Sequence, residues 1–222
     1  MGQTIPFDAA GVRGFLHRPA RRIGPGIVLT HGAGSDCNAP LLVKLANALS
    51  AAGFTVLRCD LPFRQARPRG PPSPATAAAD RAGLKAAVEL LRGLADGDVL
   101  LAGQSYGGRQ ASLLAADEPT LAAGLLPLSY PLHPPKKSAD WRVQHFPRLK
   151  TPCLFVHGTA DPFGSIAEVQ RAIAAISGPK RLIAVEGAGH DLGGGRFDAG
   201  AVVDALRSEP MTGSSPAGER AI

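Results

Sequence analysis

Cysteine, aromatic residues and long apolar runs are all scarce in this chain, and each shortage argues against a class of protein. The three cysteines, Cys37, Cys59 and Cys153, are odd in number and widely spaced. That pattern speaks against a disulfide framework and against a cysteine-rich zinc site. Aromatic residues amount to 5%, which leaves few rings on which nucleotide bases could stack. No block of five Lys or Arg occurs, and the net charge of +6 is spread along the chain with 18 Arg to 6 Lys. Nucleic-acid binding is therefore not expected. No apolar run approaches the roughly 18 residues of a membrane span. Met1 to Pro6 lacks the basic stretch and apolar core of a secretory signal, so a cytoplasmic protein with no membrane partner is expected. Neither G-x-x-x-x-G-K-[ST] nor H-E-x-x-H is present, so no phosphate-cradling loop or metal-binding helix of those types is expected.

With 45% hydrophobic and 19% charged residues, the chain has the composition of a folded domain rather than a disordered one. Short β-type runs alternate with longer helical patterns, which predicts a mostly parallel central sheet with helices on both faces. Strands are expected at Arg13–His17, Gly26–Thr30, Thr55–Cys59, Val99–Ala102, Ala122–Leu128, Cys153–His157 and Arg181–Val185. Helices are expected at Pro40–Ala52, Thr76–Leu94, Tyr106–Ala116, Ser165–Ile176 and Asp198–Leu206. The apolar stripe Leu41, Leu42, Leu45, Ala48 and Leu49 supports the first helix. Residues 62–75 hold five prolines and read as a loop. Residues 130–150 hold four and read as a loop or small lid. Residues 1–208 form one expected α/β domain, and 209–222 an expected disordered tail.

The strongest chemical signal is Gly103-Gln104-Ser105-Tyr106-Gly107, a G-x-S-x-G pentapeptide between a buried strand and a helix. Such a turn exposes the serine hydroxyl, and the flanking glycines let neighbouring backbone pack closely. The following helix N-terminus aims N–H groups at any oxyanion formed there. The competing reading is a Gly-rich turn with an incidental serine. A serine nucleophile needs a base, and six histidines compete. His190, in Gly187-Ala188-Gly189-His190-Asp191, follows the last expected strand, at the sheet end where open α/β folds place their sites. His31 and His157, each at a strand end before glycine, are better suited to bracing loops. Asp161 follows the preceding strand and suits the acid that orients the base, in the order Ser, Asp, His. Asp-Pro also serves ordinary turns.

His31-Gly32-Ala33-Gly34 follows the Gly26–Thr30 strand, where an oxyanion loop is expected. Ala33 and Tyr106 are the candidate N–H donors; a plain Gly-rich turn is the alternative. Two loops near the expected site are basic. Arg58, Arg64, Arg67 and Arg69 lie in one, and Lys136, Lys137 and Arg142 in the other. An anionic small-molecule substrate is the resulting expectation, with Arg64 and Arg69 as its binding residues.

The segments HGAGSDCNAPLL (31–42), VLRCDLPFR (56–64), GQSYGGR (103–109), SYPLHPPKK (129–137), LKTPCLFVHGTADPFG (149–164) and EGAGHDL (186–192) together resemble the α/β-hydrolase superfamily. Within it they look most like the small dienelactone-hydrolase-like proteins, including the testis-expressed hydrolase-like subgroup. The resemblance implies that fold with a minimal cap, and Ser105, Asp161 and His190 as nucleophile, acid and base. It also implies a serine hydrolase acting on a small ester, thioester or amide without metal or organic cofactor. One departure is Tyr106, where relatives often carry Met. Some members of the subgroup serve as subunits of chromatin-associated assemblies, so a non-catalytic interaction module is the alternative.

Overall fold

In chain order the strands are β1 Gln3–Ala9, β2 Val12–Arg18, β3 Gly26–Thr30, β4 Thr55–Cys59, β5 Val99–Gln104, β6 Gly124–Leu128, β7 Cys153–Gly158 and β8 Lys180–Val185. The helices are α1 Pro40–Ala51, α2 Pro62–Ala66, α3 Ala77–Arg92, α4 Tyr106–Asp117, α5 Ile166–Ile173 and α6 Ala199–Ser208. This computed structural model describes residues 2–134, 139–193 and 197–208. The expected tail, 209–222, and Lys136 and Lys137 lie outside the described residues.

The strands form one sheet in the order β1-β2-β4-β3-β5-β6-β7-β8. From β4 to β8 neighbouring strands run parallel, and β2 is antiparallel to both β1 and β4. Strand β5 shows why the apolar runs are continuous rather than alternating. Val99 and Leu101 enter a core with Leu84 and Val88 of α3, Ala111 of α4 and Val169 of α5. Leu100 and Ala102 enter the opposite core, with Leu45 and Leu49 of α1 and Val202 and Leu206 of α6. A strand covered on both faces needs apolar side chains in both directions.

One strand lies outside the expected set, and one expectation is corrected. Gln3–Ala9 is a strand, paired along its length with β2 through the turn at Ala10 and Gly11, which have φ of 48° and 78°. It carries Pro6 and is largely exposed, as an edge strand can be, so it lacked the apolar pattern of an inner strand. The segment 62–75 is not all loop. Pro62 opens α2 at its first turn, where a proline's missing N–H costs nothing. Elsewhere the boundaries shift by a few residues. Ser165, expected as the first helical residue, is instead the N-cap of α5, in a reciprocal capping box with Glu168.

The switch in strand order falls at β3. From it the chain steps to β4 on one side and later to β5 on the other. The crevice above the carboxyl ends of β3 and β5 is where such sheets bind ligands, and both Gly-rich loops open there.

Buried histidines give the fold an acid limit. His17 is held between Thr4 Oγ1 at 3.0 Å and the Arg58 Nε–H at 2.9 Å. Burial, helped by the Arg58 cation, lowers its pKa to about 4. His145, bonded to Ser112 Oγ, is lowered to about 4 by burial and then by Arg109. Both are neutral in the fold, so their stabilisation is complete above the unfolded pKa of about 6.5 and is lost as pH falls from there toward 4. Each contributes on the order of 2–3 kcal/mol across that window. Thermal melts at pH 7, 6 and 5 should show Tm falling at each step. A Tm flat from pH 7 to 5 would show that these rings protonate freely in the fold.

Candidate active site

Strand β5 ends at Gln104 and α4 begins at Tyr106, leaving Ser105 alone on the turn with φ 49° and ψ −113°. This backbone conformation is strained for a non-glycine residue. It is held by the Ser105 N–H to Leu128 O bond at 2.8 Å and by Arg109 N–H to Ser105 O at 2.9 Å. The glycines around it are required by close approach. A Cβ on Gly103 would sit 2.6 Å from the Gly107 carbonyl carbon, and one on Gly107 2.5 Å from His31 O.

Asp161 and His190 come from the loops after β7 and β8. Those loops are laced together by Ala160 N–H to Ala188 O at 3.0 Å and Gly187 N–H to Thr159 Oγ1 at 2.7 Å. Gly158 permits this, since a Cβ there would lie 2.2 Å from Ala188 O. The buried Asp161 carboxylate stands 2.8 and 3.0 Å from His190 Nδ1, and its Oδ1 also accepts the Phe163 N–H at 2.8 Å. A carboxylate at Nδ1 requires a proton on that nitrogen, which leaves Nε2 as acceptor. Nε2 lies 2.8 Å from Ser105 Oγ. The Phe163 ring stacks on the imidazole at 4.0 Å and 28°. The three residues expected to act together are thus in one hydrogen-bonded line.

The loop after β3 is braced from beneath. His31 is fully buried, with Nδ1 2.8 Å from Gly32 O and Nε2 accepting the Leu61 N–H at 3.0 Å. That pattern needs a neutral ring, and burial lowers the His31 pKa accordingly. His157 is likewise buried and reaches Gly164 O at 2.8 Å, bracing the Asp161 loop. Ala33 and Tyr106 both line the cleft at Ser105. Tyr106 N–H belongs to the first turn of α4, where amides have no intrahelical partner.

Arg64 is held by backbone carbonyls. Its guanidinium is buried and donates to the carbonyls of Ser35, Ala33, Arg67 and Gly70. Four of its five N–H donors go to backbone carbonyls, so it buttresses the Ala33 loop. Arg69 is exposed and does not line the cleft. Neither of the two residues expected to bind substrate is among those lining the cleft at Ser105.

Three features were missed from sequence. The Tyr106 hydroxyl donates to buried Asp80 Oδ2 at 2.7 Å, and Asp80 Oδ1 accepts the Phe63 N–H at 2.9 Å. This pillar ties α4, α3 and α2 together under the site. Tyr106→Phe leaves a buried carboxylate oxygen short of a donor and should cost about 1–3 kcal/mol. Denaturant titration checks this, and an unchanged midpoint would contradict it. Second, Arg109 and Arg142 line the cleft, which measures about 400 Å³. Arg109 follows Ser105 by one helical turn, a spacing that was readable; Arg142 sits in an irregular segment with no period. Third, the described residues 130–134 and 139–150 are tied to one another beside the cleft. Arg142 N–H donates to Leu132 O at 2.7 Å, and the Tyr130 hydroxyl donates to Arg142 O at 2.8 Å. An adjoining cavity of about 380 Å³, sharing Ser35 and Gln104, is walled by Leu41, Lys44, Leu192 and Phe197. Among the described residues no cluster of His, Cys, Asp or Glu is arranged to hold a metal ion, and no helix is long and apolar enough to cross a membrane.

A parallel sheet flanked by helices, with a strained serine turn at its switch point, defines an α/β-hydrolase fold. Residues 24–204 match the alpha/beta hydrolase domain family, and the chain belongs to it. An uncharacterized protein of Mycobacterium tuberculosis H37Rv is 29% identical over 187 residues, covering 76% of this chain. The chain spans 63% of that relative's length. Among solved structures, dienelactone hydrolase from Anabaena variabilis superposes with a TM-score of 0.69 at 22% identity, covering 93% of this chain and 94% of that one. A serine hydrolase homologue from Coxiella burnetii gives 0.66 at 22%, with 92% and 95% covered. A serine hydrolase without lid from Xanthomonas campestris gives 0.69 at 17%, with 97% of each covered.

Proposed function

We propose that the protein is a serine hydrolase that cleaves a small ester, thioester or amide through an acyl-enzyme. The observation that carries this reading is the line from Asp161 through His190 to Ser105, with every link at 2.8–3.0 Å. Ser105 Oγ attacks the carbonyl carbon while His190 Nε2 takes its proton; the imidazolium then returns that proton to the leaving alcohol, thiol or amine. Water, deprotonated by the same nitrogen, attacks the acyl carbon, and Ser105 regains its proton as the acid departs. Asp161 holds the tautomer and stabilises the imidazolium. The Ala33 and Tyr106 N–H groups meet the oxyanion, each on the order of 3 kcal/mol of transition-state stabilisation.

The cleft of about 400 Å³ favours small substrates over long lipid chains. All three reacting side chains are competent and aligned, which favours catalysis over a purely interacting role. Acetate and butyrate esters, assayed beside a fluorophosphonate probe, test the reading. Turnover with labelling is expected. A folded protein inert to both would return it to the non-catalytic alternative.

A further inference from the structure

Two positive charges share the cleft beside Ser105. Among the described residues, its lining includes Arg109 and Arg142 and no Asp or Glu. Among the described residues neither guanidinium makes a hydrogen bond or ion pair, whereas Arg58, Arg64, Arg81 and Arg148 each have partners. Arg109 Nε is shielded from solvent and unpartnered. An unmade hydrogen bond at a buried donor is costly, as is holding like charges near each other in a half-buried cleft. Arg142 registers both: burial, and then the Arg109 cation, lower its pKa, with the Asp140 carboxylate outside the cleft lining opposing them more weakly.

The positions are also fixed in advance. Arg109 rides on α4 one turn beyond Ser105, about 6 Å along the helix axis. The backbone of Arg142 is pinned by Leu132 O and the Tyr130 hydroxyl. Pro131 and Phe163 supply apolar wall along the same cleft. Guanidinium forks match carboxylates with two parallel N–H···O bonds. We propose that Arg109 and Arg142 form a carboxylate clamp, so that the preferred substrate is a small ester, thioester or amide with a free carboxylate a few carbons from the scissile carbonyl. The proposal rests on the serine-hydrolase reading for its reaction, though not for its binding. It also replaces Arg64 and Arg69 as the source of the anion preference.

The test compares kcat/KM for monomethyl glutarate with that for methyl pentanoate, followed by pH-stat, in the wild type and in Arg109→Gln with Arg142→Gln. Hydrolysis of either releases methanol and one carboxylate. A wild-type preference of roughly 10- to 100-fold for the half-ester is expected, the worth of charge-assisted hydrogen bonds. The double variant should bring the ratio close to one, and 1 M salt should shrink the wild-type ratio. Binding is read independently as the rise in Tm with glutarate, expected for the wild type and absent in the double variant. Fluorophosphonate labelling of Ser105 reports separately on the nucleophile. Labelling with no half-ester preference, or a preference unchanged in the double variant, overturns the clamp alone. Absent labelling with glutarate stabilisation lost in the variant overturns the hydrolase reading and keeps the clamp. No glutarate stabilisation in the wild type overturns the clamp whatever the chemistry does.

Discussion

Ser105→Ala should abolish covalent labelling by a fluorophosphonate and reduce ester turnover by on the order of 10⁴-fold or more. The expectation is this large because the serine is placed by a turn that serves no evident packing purpose. Its φ of 49° is strained, and three glycines at 103, 107 and 108 are kept free of side chains by backbone atoms within 2.6 Å of where a Cβ would stand. Strain of this kind persists only where surrounding structure enforces it. Alanine at position 105 keeps that backbone and removes only the hydroxyl, so circular dichroism and Tm should stay close to wild type. Undiminished labelling of the variant would mean that another serine is the nucleophile.

The second large effect is at the base and its orienting acid. His190→Ala removes the group 2.8 Å from Ser105 Oγ and should match the loss seen for the serine, because residues acting as a unit fail as a unit. Asp161→Asn is the more discriminating change. It keeps the side-chain shape, but its amide N–H₂ favours the tautomer with the proton on Nε2, which cannot accept from the serine. A loss on the order of 10⁴-fold in kcat is expected, with KM little altered. A double substitution of His190 and Asp161 should be scarcely worse than His190→Ala alone. Additive losses, or an active His190→Ala, would move the base elsewhere.

How much of this was legible in the sequence depends on how local the cause is. Gly26–Thr30 and Thr55–Cys59 were readable to the residue, because an inner parallel strand must be apolar on both faces and each segment is fully buried. Strand β1 was not, because an edge strand tolerates Pro6 and exposed side chains, and pairing with β2 rather than composition makes it a strand. Ser105, Asp161 and His190 were legible for a related reason: each stands at a strand end in a turn whose glycines mark close approach. The arginines were not. Arg64 and Arg109 belong to the same composition, and only the folded chain shows one guanidinium spent on four carbonyls and the other left facing the cleft. A long side chain carries its charge several ångströms from the backbone, beyond what periodicity can report. Tyr106 was legible as a candidate amide donor from its place after the serine, yet its hydroxyl's bond to Asp80 depends on how α3 packs against α4.

The most direct test of the central claim is to catch the acyl-enzyme on the wild-type protein. Pre-steady-state mixing with 4-nitrophenyl acetate should release a burst of nitrophenolate close to one equivalent per chain. Acid quenching, trypsin digestion and mass spectrometry should then find the acetyl group on the peptide from Gly93 to Arg109, at Ser105. No burst and no adduct in a folded protein, or an acetyl group on a different residue that turns over at the steady-state rate, would contradict the account.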